Sequence, residues 1–390
     1  MHNSGLIDNG FLNQGRQNKY KKCSRTVMDT TDPYITFNEN GESNHWTEFN
    51  HFFTNLDYEK KAEELNVLFK DLKLERTKYD YDCIMGLSGG VDSSYLAYYA
   101  TKVLGLRVLA VHVDAGWNSE LAVHNIHEIV NRLNIDLETV VIDWDVMRRL
   151  QKAFVLSGLA NLDIPQDHIF ISSLFAVARK SGIKTILSGG NMTSECILPN
   201  SWGYDCADGW HVKSVFKNFG EGNLKGYRIY TPFQRYILYP FVYRIKSLRP
   251  LDYIPYNKEE AKTFLIKELG WRDYGGKHYE STFTKIFQSY YLPVKFGFDK
   301  RKAHLSSLIV SGQMTREEAL KILEEPLWND NTNSEINYFC KKLNISREKF
   351  DRILTEKGRD YSEFRNSENI RKILKVVFSL YKKFLNGHNS

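Results

Sequence analysis

Residues 86–94 read Gly86-Leu87-Ser88-Gly89-Gly90-Val91-Asp92-Ser93-Ser94, between the apolar run Cys83-Ile84-Met85 and the helix-like stretch from Tyr95 to Ala100. Gly89 and Gly90 carry no side chains, so the backbone there can turn sharply. Together with Val91 it can aim several N–H groups at one anion, and the following helix adds its positive end. Ser88, Ser93 and Ser94 supply hydroxyl donors, and Asp92 can hold a metal ion against phosphate oxygens. The order S-G-G-V-D-S-S lacks the lysine of G-x-x-x-x-G-K-[ST], which excludes a Walker loop. A ligand-free strand-to-helix turn would leave the serines and the aspartate without a use.

The elements that position this loop follow from periodicity. Asp82–Leu87 predicts a short buried strand, followed by a helix with Leu96, Ala100 and Val103 on one face and Gly105 as its stop. Arg107–Val113 predicts a second strand. A helix with Ile126, Ile129, Val130 and Leu133 in one stripe leads to a third, Glu138–Ile142. A further helix, with Ile171, Leu174, Phe175 and Ala178 inward, ends near Gly182, and Lys184–Leu187 is a fourth strand. Strands that are apolar throughout and alternate with helices imply an α/β fold, a parallel sheet with helices on both faces. Ligands of such sheets sit at the carboxyl ends of the strands. Three polar segments fall there: Ser88-Gly89-Gly90, Asp114–Ser119 and Ser188–Glu195. The segment from Asn200 to Lys246 has no clean period and is expected beside the site. The division expected is an N-terminal extension over 1–76, a nucleotide domain over 77–256 and a C-terminal helical part over 257–390.

With 390 residues, 42% hydrophobic and 26% charged, the chain is long enough for two or three domains with a substantial core. No apolar run approaches the ~20 residues of a membrane span. The start Met1-His2-Asn3-Ser4-Gly5 lacks an export pattern, and the five cysteines form no framework, so a cytoplasmic protein with reduced thiols is expected. The net charge of +6 is spread along the chain, which suits anionic small substrates and gives no argument for nucleic acid.

The loop resembles that of the PP-loop ATP pyrophosphatases, of the adenine nucleotide alpha hydrolase-like fold, which retain pyrophosphate while AMP passes to a substrate oxygen. The resemblance implies ATP and magnesium as cofactors. It places Val113 and Asp114 at the nucleoside, Gly189 and Asn191 at the nucleotide, and Glu195 with Asp92 on the metal. Asp114 equally fits a turn or cap aspartate, and Glu195 a solvated helix residue.

The run from Cys23 to Gly41, the loop at Ser88, the Ser188-Gly189-Gly190-Asn191 element and the stretch from Leu292-Pro293 to His304 are together similar to the bacterial N-acetyl sugar amidotransferases of surface-polysaccharide and nonulosonic-acid pathways. The similarity runs from about Cys23 to about Pro326. It implies conversion of an acetamido group on a nucleotide-linked or acidic sugar into an acetamidino group. It also implies separate glutaminase and cyclase-like barrel partners, with neither nucleic acid nor membrane involved. Two Cys-x-x-Cys pairs that could hold structural zinc are common in the family. Here Cys23, Thr26, Ser43 and Trp46 stand at those positions and His45 offers at most a second donor, so no zinc is expected.

An amide oxygen is a poor leaving group; transfer of AMP to it makes a good one and leaves an electrophilic carbon for ammonia. Basic side chains that could steady the developing charge are Lys285, Lys295 and Arg301, each of which also fits a solvated charge. His278 and Glu280 could steer the substrate or relay a proton, and His278 also fits a plain core or surface histidine. No cysteine lies in Gly-x-Cys-x-Gly and residue 2 is His2, so ammonia is expected from outside the chain. Two other classes remain: a tRNA sulfurtransferase using Cys196 or Cys206, and a non-catalytic nucleotide-binding protein.

Overall fold

The run Cys83-Ile84-Met85 is short, apolar and rich in strand formers, and it becomes β1 (Cys83–Gly86), buried along its first three residues. The computed structural model describes residues 20–74, 79–275, 281–328, 331–374 and 376–377. Four further strands join β1: β2 (Val108–Asp114), β3 (Asp136–Val141), β4 (Thr185–Leu187) and β5 (Lys246–Leu248). Their order is β3-β2-β1-β4-β5 and every pairing is parallel. The order reverses direction between β1 and β4, so the loops leaving those two strands flank the crevice where such sheets bind ligands.

Helices α1 (Asn44–Thr54) and α2 (Tyr58–Leu74) precede the sheet. The crossovers are α3 (Val91–Tyr98) after β1, α4 (Glu120–Leu133) after β2, then α5 (Trp144–Ser157) and α6 (Ile164–Ser181) before β4. Local chemistry sets their ends. Ser119 caps α4 by accepting the Ala122 N–H, Asp143 caps α5, and Gly182 stops α6 at φ +74°, where a side chain would be strained.

Successive strand residues face opposite sides. Ile84, Leu109, Val111 and Ile186 enter one core, while Cys83, Met85, Ala110 and Leu187 enter the other. The first core continues without a break into the C-terminal helices through Phe283, Phe287, Phe339 and Phe350.

Several expectations need correction. Val103 is 54% exposed, because residues Tyr99–Val103 form a π-helical turn whose extra residue rotates it off the buried face. The third strand is an edge strand, with Leu137 and Val141 exposed, so the helices do not cover it fully. Asn200–Lys246, which shows no clean period, holds α8 (Gly209–Phe219), preceded by the short α7 (Met192–Glu195), and a π-helical turn at Gln234–Val242. Finally, α9 (Lys258–Leu269), expected to open the C-terminal part, packs on α3 and buries Ala261, Leu265 and Leu269 in the second core. Beyond it come α10 (Thr282–Ile286), α11 (Leu292–Phe296), α12 (Lys300–Val310), α13 (Arg316–Glu324), α14 (Thr332–Leu343) and α15 (Arg347–Thr355).

Candidate active site

At the end of β1 the chain turns through Gly89 at φ +82°, and a Cβ there would stand 2.6 Å from the Ala122 carbonyl oxygen of α4. Only glycine fits. The Gly89 carbonyl is held by the indole N–H of Trp271 at 2.8 Å, so the loop is oriented from the far end of α9. Gly90 caps α3 with no side-chain bond, which leaves the first amides of that helix for a ligand. From the other side of the crevice, Gly189 approaches so closely that a Cβ would lie 3.1 Å from the Ser93 nitrogen.

Between these loops lies a recess of about 210 Å³, lined by Ser88, Gly90, Val91, Asp92, Ser93, Gly189, Gly190, Glu195, Lys258 and Tyr274. Asp92 is its organising carboxylate. It accepts from the Tyr256 hydroxyl at 2.6 Å and from Asn191 Nδ2 at 3.3 Å, and Lys258 Nζ stands 3.7 Å away. Asn191 is itself fixed, accepting from Thr193, the Ser194 N–H and the Ser194 hydroxyl. Arg249, after β5, donates to the Gly190 carbonyl at 3.1 Å and pairs with Asp252, which accepts the Met192 N–H. Amides, hydroxyls and a lysine beside two carboxylates form a donor set that suits a pyrophosphate carrying a divalent cation. The residues present therefore fit magnesium.

Ser88 also lines a larger cavity of about 820 Å³, bounded by Leu87, Val111, His112, Val113 and Asn118 at the sheet, Asp163, Gln166 and Asp167 of the α6 start, and Lys300, Arg235 and Arg371 farther out. His112 Nδ1 lies 3.0 Å from the Leu87 carbonyl and Nε2 3.0 Å from Asn118 Nδ2. Nδ1 therefore carries the proton, donating to the carbonyl, while Nε2 accepts from the amide.

Ser88, Gly90, Val91, Asp92 and Ser93 of the loop line the small recess with Gly189 and Glu195, and Val113 lines the larger cavity. Ser94 lines neither: among the described residues its hydroxyl is buried without a partner, one helical step round from Ser93, whose hydroxyl donates to the Gly90 carbonyl. Asp114 shapes the turn, accepting from the Gly116 N–H at 2.8 Å and Asn118 at 3.1 Å. The three basic candidates are structural. Lys285 pairs with Glu335 of α14 at 2.5 Å. Lys295 is buried and donates to the carbonyls of Ile353 and Glu356, and burial pulls its pKa down to about 8. Arg301 clasps Asp299 and the carbonyls of Ile322 and Glu325 at the end of α13. Each ties one C-terminal helix to another, whereas Lys300, one position before Arg301, reaches the cavity. His278 and Glu280 lie outside the described residues. Lys258, Tyr256 and Asp167 are site residues that the sequence did not single out.

At the N-terminal knuckle, Cys23 Sγ accepts N–H bonds from Ser43, Arg25 and Thr26 at 3.2–3.4 Å. Burial pushes the thiol pKa up, but these donors outweigh it and leave the value below the ordinary one. His45 pairs with Asp32 instead. Among the described residues, no group of three or more His, Cys, Asp or Glu gathers to hold a metal.

Comparison with known proteins places these features. Residues 65–192 match the NAD synthase family, and residues 280–377 match the C-terminal domain of the WbpG-like LPS biosynthesis proteins. The chain thus joins a PP-loop domain of NAD-synthase type to a WbpG-like C-terminal domain. One of the component chains of the glutamine-hydrolysing GMP synthase of Methanococcus vannielii is 32% identical over 115 residues, 27% of this chain and 34% of the relative; the chain spans about a third of that relative's length. Among solved structures, NMN synthetase from Francisella tularensis aligns over 76% of this chain and 97% of its own, at 17% identity and TM-score 0.33. The U34-tRNA thiolase NcsA from Methanococcus maripaludis aligns over 68% and 81%, at 14% identity and TM-score 0.33. The NH3-dependent NAD synthetase from Campylobacter jejuni aligns over 36% and 59%, at 17% identity and TM-score 0.27. Among the described residues no helix is long and apolar enough to cross a membrane.

Proposed function

We propose that the protein is an ATP-dependent, AMP-forming amidotransferase that adenylylates the acetamido oxygen of a nucleotide-linked or acidic N-acetyl sugar and replaces it with ammonia, giving an acetamidino sugar for surface-polysaccharide or nonulosonic-acid synthesis. The observation that carries this reading is the small anion recess opening at Ser88 onto a cavity large enough for a nucleoside and a sugar. The amides at the start of α3, with Ser88, Ser93 and Lys258, hold the pyrophosphate, while Asp92 and Glu195 hold magnesium, which when bound offsets phosphate charge. Val113 and the end of β2 face the nucleoside. The acetamido oxygen then attacks the α-phosphorus in line, pyrophosphate stays in the recess, and ammonia displaces AMP from the activated carbon. Ammonia would come from separate glutaminase and barrel partners, and the match to a lipopolysaccharide-biosynthesis domain supports the pathway.

The sulfurtransferase reading is disfavoured by its cysteines. Burial pushes the Cys196 thiol up to about 11 and Cys206 well above its ordinary value, the reverse of what a sulfur nucleophile needs. The test is to incubate the protein with ATP, magnesium, ammonium chloride and a panel of acetamido sugar nucleotides, reading products by mass. A sugar in which one oxygen has become NH, formed with AMP, supports the proposal; sulfur incorporation into tRNA, or ATP binding with no turnover on any sugar, overturns it.

A further inference from the structure

The large cavity contains a carboxylate to which the adenylylation and displacement steps give no role. Asp163 and Asp167 both enter it from the start of α6, but they differ in their bonding. Asp163 accepts from Gln166 Nε2 at 3.1 Å and from the Thr284 hydroxyl at 3.0 Å, so it is built into the wall. The Asp167 carboxylate takes no hydrogen bond from the described residues. Lys300, at the start of α12, lines the same cavity and attracts it. Trp202 also lines this space; it is 1% exposed and its indole N–H has no hydrogen-bond partner among the described residues, a buried donor left for a ligand acceptor. The cavity, which also reaches Ser88 of the phosphate loop, thus offers a donor for one ligand atom and an acceptor for another.

We propose that Asp167 is the general base of the second half-reaction, taking the proton that the nitrogen nucleophile sheds as the new C–N bond forms. This rests on the amidotransferase reading. Ammonia adds its lone pair to the activated carbon, giving a tetrahedral adduct with a positively charged nitrogen. One N–H proton moves to the Asp167 carboxylate, the C–O bond to AMP breaks with its electron pair, and an amidinium product remains. Asp167 then returns its proton to solvent through the cavity. Its setting suits the exchange. The groups around it are Asp163 on its own helix, Lys300 of α12, Glu195 of α7, Cys206 and Tyr227. Burial first, then the charge of Asp163, raise its pKa against the opposing pull of Lys300, which favours uptake of a proton.

The experiment separates the two half-reactions in Asp167→Asn and Asp167→Glu. Sugar-dependent pyrophosphate release reports adenylylation, and amidine formation reports nitrogen transfer. In a single turnover, Asp167→Asn should keep the pyrophosphate burst within a few-fold of wild type while ammonia-dependent decay of the adenylylated sugar to amidine slows roughly 10²–10⁴-fold; Asp167→Glu should recover part of it. Hydroxylamine provides the second readout, because the adduct it forms is acidic enough to lose its proton to water. With hydroxylamine, the Asn variant should approach wild type. Equal losses with both nucleophiles, or wild-type amidine formation by Asp167→Asn, overturn the assignment. If wild-type protein releases no pyrophosphate with any acetamido sugar, it is the amidotransferase reading that fails.

Discussion

Replacing Gly89 by alanine tests whether the phosphate loop is built as described. The new Cβ would meet the Ala122 carbonyl oxygen at 2.6 Å and its carbon at 3.2 Å, backbone atoms of α4 that have no flexible end to move aside. The residue would also have to hold φ at +82°. The left-handed conformation costs about 1–2 kcal/mol and overpacking against fixed atoms about 1–3 kcal/mol, so the variant should lose about 2–5 kcal/mol. At roughly 1–2 °C per kcal/mol for a chain of this size, the melting temperature should fall by about 2–10 °C. The shift should be accompanied by loss of the stabilisation that ATP and magnesium give the wild-type protein, because the amides displaced are those that face the phosphates. Gly190→Ala, across the same recess, is the control for stability: its Cβ would have only ordinary contacts at 3.6–3.8 Å. Thermal melting with and without nucleotide reads both variants. If Gly89→Ala melts like wild type while Gly190→Ala is the unstable one, the loop geometry and the reasoning from it are wrong.

Asp92→Ala should abolish magnesium-dependent AMP formation while the protein stays folded, and a well-folded variant with near-normal turnover in a coupled pyrophosphate assay would remove Asp92 from the metal. Lys258→Met should lower turnover by at least tenfold, whereas Lys295→Met, which strands the carbonyls of Ile353 and Glu356, should lower the melting temperature and leave turnover per folded molecule unchanged; kinetics beside calorimetry separate the two. The carboxyl of Asp167 is harder to ionise in the folded protein than at its ordinary 3.8, so the wild type should lose stability as pH rises from about 4 to about 8. Asp167→Asn should therefore be the more stable protein above pH 8, by a few kcal/mol at most, and match wild type near pH 3 in a melting series. The isolated chain should form product with ammonium chloride and not with glutamine; glutamine-driven product would reveal a glutaminase site in this chain.

The sheet was legible because β1, β2 and β4 are buried on both faces and so carry unbroken apolar runs, and because Ser119, Gly182 and the Gly89-Gly90 turn mark element ends by chemistry that acts within a few residues. The exposed β3 and the π-helical turn at Tyr99–Val103 were misjudged for the opposite reason: edge position and an extra helical residue are set by tertiary packing, not by local period. The phosphate recess divides in the same way. Its β1 and β4 walls are contiguous motifs. Tyr256 and Lys258 reach Asp92 from more than 160 positions away in the chain, a distance over which a single sequence shows no pairing. The misplaced lysines and arginine have a simple cause too. Charge type alone does not say which way a helix turns, and Arg301, bound to Asp299, directly follows Lys300 in the cavity.

The central claim is that AMP is transferred to the acetamido oxygen, and isotope transfer tests it most directly. A substrate sugar with a heavy oxygen isotope in the acetamido group, turned over with ATP, magnesium and ammonium chloride, should deliver that isotope to the phosphate of AMP, one label per amidine formed, with unlabelled pyrophosphate. Label appearing in water or inorganic phosphate, or retained in the sugar while AMP accumulates, would contradict the account.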